Sequence, residues 1–235
     1  MLNGENQKAP LIEKIAVTKT GETIINILKA GLATTPFCGG IASLMNDYIP
    51  SMRLKRLEEF AKKIAEDLDA LQDRVDSSYI LTEDFAFIFE RCMRGVAENP
   101  QMEKIEAFRG ILVNSTIPSN LSEDEKEYFI NLVNNLSALH LRILRFMSSP
   151  LDYLKAAQIP EEKIRGGFSD FFPIAIPGVH IDAIRSAFAE LYHFRLINTD
   201  ENIFFTITAG QGLQLLGNRV SEYGRRFLNF CISPR

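Results

Sequence analysis

Apolar residues recur at helical spacing after Ser51: Leu57, Phe60, Ile64, Leu68, Leu71 and Val75 fall at steps of 3, 4, 4, 3 and 4. Such steps place them on one face of a helix, close to a coiled-coil seam. Lys, Arg, Glu and Asp fill the other face. The pattern predicts a long amphipathic helix that either joins a bundle or dimerises through these residues.

Comparable signals follow. Thr82 and Asp84 open a helix over Phe85–Ala97 that Pro100 ends, and Glu103–Thr116 is another, closed by Pro118. Ser122 followed by Glu125 is a capping box, and the acidic SEDE run suits the positive end of a helix dipole. Upstream, Thr20 caps a helix through Leu32, Pro36 and Gly39-Gly40 interrupt it, and Ile41–Tyr48 forms a short helix before Pro50. Residues 1–19 read as a flexible lead and 20–136 as an antiparallel helical array.

Beyond Leu136 the pattern changes. SALHLRILRFMSSP is a helix with Leu139, Ile143 and Phe146 on one face, and LDYLKAAQI is a shorter one. PEEKIRGGFSDFFPIAIPG, with its Gly and Pro residues, reads as a loop. VHIDAIRSAFAELYHFRLI is a helix with Ile184, Phe188 and Leu191 inward. The two apolar runs of LINTDENIFFTIT, set around Asn198–Asn202, predict a β-hairpin, and GLQLLGNRVSEYGRRFLNFCI predicts a final helix. Helix, helix, helix, hairpin, helix is the order of a winged helix. The expected fold is therefore mainly α: an N-terminal helical array, then a winged-helix-like domain over 137–235 with a small β-hairpin.

One stretch departs from ordinary amphipathic patterning. Ala30–Asn46 is a run of seventeen uncharged residues inside the Gly-rich apolar segment 28–49. A clean membrane span needs about 20 predominantly apolar residues, and this run is shorter and carries Thr, Ser, Pro and Asn. It fits buried packing or an interfacial element better, with Leu28, Leu32, Phe37, Ile41, Leu44 and Met45 as its contact residues for a membrane or a partner.

Composition bounds the function. The chain has 235 residues and a formal charge of −4, so general nucleic-acid binding is not advertised. The charge is uneven: residues 1–136 carry 15 Lys+Arg against 21 Asp+Glu, and 137–235 carry 11 against 9. Nucleic-acid contact therefore has electrostatic room only in the C-terminal part, through Arg185, Arg219, Arg225 and Arg226, opposed by the acidic Asp200-Glu201 pair. Cys38, Cys92 and Cys231 are odd in number and far apart, which disfavours a disulfide framework and favours a reducing compartment. The opening MLNGENQKAPLIEK lacks the order of a signal peptide. The expectation is a cytoplasmic protein, peripheral at the inner membrane if the apolar segment docks there.

No motif carries a reaction. Gly210-x-Gly212 before a helix mimics a phosphate cradle but lacks the Lys-Ser/Thr of a P-loop and the third glycine of a dinucleotide fold. His180-x-Asp182 lacks a third metal ligand, and His140 and His193 read as core-edge or surface residues. No serine stands in a Gly-x-Ser-x-Gly elbow. No cofactor, metal or catalytic residue is expected.

ALHLRILRFM, FAELYHFRLINTD and ITAGQGLQLLGNRVSEYGRRFLNFCI together resemble the C-terminal half of bacterial abortive-infection alpha-like proteins, and EKIEAFRGILVNST resembles their middle helix. The resemblance covers roughly residues 85–235, departs at the Gly/Pro loop 166–178, and carries no functional residue across. It implies a bacterial phage-resistance or mobile-element setting. The expected function is a non-enzymatic defence protein with a docking segment and a winged-helix contact or regulatory module, acting with a protein partner or by self-association. A DNA-binding winged-helix regulator and a dimeric scaffold are the alternatives.

Overall fold

The computed structural model describes residues 51–71, 73–206, 213 and 216–232. The docking residues Leu28, Leu32, Phe37, Ile41, Leu44 and Met45, the helices expected over 20–48, and Gly210-x-Gly212 lie outside them. The described residues are mainly helical. Contacts divide the chain into two compact units, Met1–Leu132 with Cys231–Arg235, and Val133–Phe230.

The first unit is built from α1 (Ser51–Ala70), α2 (Glu83–Glu98), α3 (Met102–Ser115) and most of α4 (Glu123–Asn135). α1 packs on α2 and α3. Phe60, Ile64, Leu68 and Leu71 are buried, while Leu57 and Val75 are half-buried. The stripe read as a dimer seam thus supplies core within the chain, as amphipathic helices of a bundle do. Val75 lies beyond the helix, which ends at Ala70.

Polar contacts fix the register of these helices. The Arg109 guanidinium donates Nε and Nη2 to the two carboxylate oxygens of Asp67, both at 2.7 Å, and Lys63 donates to Glu106 at 3.0 Å. The fork-on-fork geometry is the strong form of such a pair. Arg56 closes the carbonyl end of α2 through Val96 O at 2.9 Å and Ala97 O at 2.7 Å, which satisfies acceptors that a helix end leaves open. Gly95 lets the Phe108 ring lie directly on α2: a Cβ there would overlap three atoms of that buried ring.

The expected start signals are present. Thr82 Oγ1 accepts from Phe85 N at 3.3 Å, and Ser122 and Glu125 exchange both bonds of their capping box at 3.2 and 3.3 Å. Between α1 and α2 a 3₁₀ turn, Tyr79–Leu81, brings Tyr79 to Glu123, whose carboxylate accepts the phenol at 2.8 Å and Lys126 Nζ at 2.7 Å.

The second unit holds α5 (Ala138–Ser148), α6 (Pro150–Ala156), α7 (Phe168–Ala175), α8 (Ile181–His193) and all but the last residue of α9 (Glu222–Cys231). Its core is aromatic. Phe146, Phe168, Phe171, Phe172, Phe188 and Phe204 are all buried and meet ring to ring.

Three expectations are corrected here. The loop read over 160–178 contains α7. Its N-terminus is closed by Asp170 Oδ2 accepting from Gly167 N at 2.8 Å, and Pro173 sits inside the helix. The β-hairpin around Asn198–Asn202 is absent. Asp200 instead caps a 3₁₀ helix, Glu201–Phe205, through Asn202 N at 3.0 Å. No strand occurs among the described residues, and one antiparallel bridge joins Ile197 to Val220. The final helix is not continuous either: a 3₁₀ turn, Gly217–Arg219, and that bridge precede α9. Ser221 starts α9 by accepting from Gly224 N at 2.8 Å.

Two helices in this unit end in Schellman geometry without glycine. After α6, Gln158 (φ 56°) donates to Lys155 O and Ile159 donates to Leu154 O. After α8, Arg195 (φ 58°) donates to Tyr192 O and Leu196 to Leu191 O. A non-glycine residue in this left-handed conformation costs about 1 kcal/mol. Gln158→Gly is therefore expected to stabilise the protein by about 1 kcal/mol, read as a raised urea midpoint by far-UV circular dichroism. An unchanged or lowered midpoint would count against this account of the turn.

Candidate contact surface of the second unit

The nucleic-acid candidates separate into distinct environments. Arg185, on α8, lays its guanidinium 4.4 Å from the centroid of the exposed Phe205 ring, with Asp182 at 3.6 Å. Its Nε is buried with no hydrogen-bond partner among the described residues, so the stack on Phe205 and the Asp182 pair hold the group in place. Arg225, exposed on α9, folds back on the preceding turn, donating Nη1 to Val220 O at 2.9 Å and Nε to Glu222 at 3.2 Å. It braces the turn that precedes α9. Arg226 is half-buried on the next position of α9.

Arg219 differs. It forms the end of the 3₁₀ turn, its carbonyl accepts from Asn198 N at 2.8 Å, and its side chain makes no hydrogen bond or ion pair among the described residues. The same corner contains Arg195, which the pattern of the sequence did not single out. The Arg195 carbonyl accepts from Ser221 Oγ at 2.6 Å, and its exposed side chain has no partner among the described residues. The left-handed φ that places it there is invisible to hydrophobic periodicity. The only available signal was an Arg directly after a helix, where glycine is the usual terminator.

A nucleophile, a base and an acid also meet. The Oγ of exposed Ser137 lies 2.7 Å from Nδ1 of buried His140, whose Nε2 lies 3.1 Å from Glu190 on α8. The chemistry favours structure over catalysis. Ser137 N–H already donates to the same Nδ1 at 3.0 Å, so the single lone pair that would take the serine proton is shared with the backbone. The set closes the start of α5 and ties it to α8.

His180 and Asp182 likewise serve a cap: His180 Nδ1 accepts from Asp182 N at 3.3 Å, and both side chains are exposed. No group of three metal-ligating residues occurs among the described residues. Burial pushes the Cys92 thiol up from its ordinary pKa, which removes it as a nucleophile near neutral pH. No described helix is long and apolar enough to cross a membrane. No family model, curated protein or solved structure gives a significant match to the chain.

Proposed function

We propose that the protein is a non-enzymatic contact protein of the bacterial phage-defence type. In this reading the apolar Gly-rich segment 28–49 docks on a membrane surface, and Val133–Phe230 is a winged-helix-like contact and regulatory module. The observation that carries it is the uncharged run Ala30–Asn46 set directly before a helix as charged as α1. Small residues there permit close approach, and its apolar residues suit the interface between headgroups and acyl chains. The chemistry of the second unit adds support, because its polar clusters act as caps and braces. The module reading rests on the order α5 to α8 followed by the Ile197–Val220 bridge.

Flotation of the full chain on anionic vesicles tests the docking step. The wild-type chain is expected to float, and the double variant Phe37→Asp/Leu44→Asp to stay with the soluble fraction while keeping its helical circular dichroism. Wild-type protein that does not float overturns membrane docking. Flotation unaffected by the double variant removes the segment as its cause.

A further inference from the structure

We propose that the corner at the Ile197–Val220 bridge binds the phosphate backbone of duplex DNA through Arg195 and Arg219. The bridge brings together two chain segments distant in sequence, one carrying each arginine. Four bonds hold them: Asn198 N to Arg219 O at 2.8 Å, Asn198 Nδ2 to Asn218 O at 2.9 Å, Ser221 N to Leu196 O at 3.1 Å, and Ser221 Oγ to Arg195 O at 2.6 Å.

The charges of this corner are accounted for one by one. Arg225 is spent on Glu222 and on the Val220 carbonyl. Asp200, which caps the 3₁₀ helix, and Glu201 in its first turn keep their negative charge and oppose phosphate from that side. Arg226 stands on α9 with interactions of its own. Among the described residues, Arg195 and Arg219 are the cations of this corner whose side chains have no partner. Two arginines carried on a braced backbone, beside Asn and Ser side chains, supply the donors that contact phosphate oxygens and position a protein on a duplex. Phosphate contacts carry no sequence information, so the surface binds without base specificity.

The backbone at Arg195 gives the test a clean variant. A left-handed C-terminal position favours glycine. Arg195→Gly thus removes the side chain while suiting the turn, and separates a binding role from a folding role. Arg185, engaged with Phe205, serves as a control outside the corner.

The test is fluorescence anisotropy of a labelled duplex with the full chain, titrated between about 50 and 200 mM salt. Wild-type binding is expected to weaken as salt rises. Arg195→Gly and Arg219→Gln should each weaken it severalfold, and the double variant should lower the slope of log K against log salt by about 2. Arg195→Gly should not lower the melting temperature, and Arg185→Gln should leave the slope unchanged. No wild-type binding at low salt overturns the proposal. So does binding untouched by the double variant, or loss of anionic-vesicle binding in that variant with DNA binding intact. Because the Arg195 and Arg219 variants leave Phe37 and Leu44 unchanged, failure of the wild-type chain to float on vesicles leaves the DNA result interpretable.

Discussion

Phe172→Ala is expected to cost about 3–5 kcal/mol, read as a fall in the urea midpoint by far-UV circular dichroism. Phe172 is completely buried, with ring centroids of Phe146, Phe168, Phe171 and Phe204 between 5.3 and 5.4 Å away and that of Phe188 at 6.0 Å. Truncation removes the transfer free energy of the ring and leaves a cavity whose walls are themselves rings. Edge-to-face pairs add about 0.5–1.5 kcal/mol each beyond burial, and this residue takes part in such pairs with Phe146 and Phe188. A domain of ordinary stability holds about 5–15 kcal/mol in total, so the substitution removes a large fraction. Phe205→Ala supplies the contrast. That ring is exposed, with the Arg185 guanidinium stacked on it, so its loss should cost under about 1 kcal/mol. Equal costs for the two would refute the assignment of the core to α7.

The aromatic core also marks where the sequence was readable and where it was not. α1 to α4 were legible because each carries its own punctuation: the stripe through Leu57–Leu71, Thr82, Pro100, Pro118 and the Ser122/Glu125 box. α8 was legible for the same reason, and Ile184, Phe188 and Leu191 are indeed buried. α7 was missed because Pro173 and the flanking glycines outweighed a signal that was present. Gly167-x-x-Asp170 closes its first turn, and Phe168, Phe171 and Phe172 recur at steps of 3 and 1 on its buried side. A short helix tolerates the proline because aromatic packing, rather than an unbroken hydrogen-bond ladder, holds it. The hairpin failed for the opposite reason. Alternating apolar residues around a polar turn fit a strand pair locally, but Asp200 satisfied the backbone through a cap, and Phe204 turned into the aromatic core. The pairing that does form, Ile197 with Val220, joins residues too distant for turn chemistry to announce. Of the contact surface, Arg219 was readable as a cation. Arg195 was not, because its place depends on a backbone conformation that its residue type disfavours.

That corner yields the second large effect. Gly224→Ala is expected to destabilise the protein by about 3 kcal/mol, although alanine is the better helix former by about 1 kcal/mol. Gly224 lies in the first turns of α9, where a Cβ would overlap the carbonyl oxygen of Leu196 and stand 2.9 Å from its carbonyl carbon. A flexible side chain could move aside; this carbonyl cannot. It accepts Ser221 N at 3.1 Å, Ser221 Oγ bonds the adjacent Arg195 carbonyl, and Gly224 N itself bonds Ser221 Oγ at 2.8 Å. Relief of the clash therefore requires α9 to move away from the chain after α8, which breaks the bonds that pair Ile197 with Val220. Gly217→Ala is the matched control, since its nearest neighbour, Ser148 O, lies 3.9 Å away in ordinary contact. It should change stability by less than about 0.5 kcal/mol. Because the same backbone holds Arg195 and Arg219, Gly224→Ala should also weaken duplex binding under conditions where the protein remains folded, whereas Gly217→Ala should not. A Gly224→Ala protein as stable as wild type would show that the close approach of α9 to Leu196 does not organise this unit.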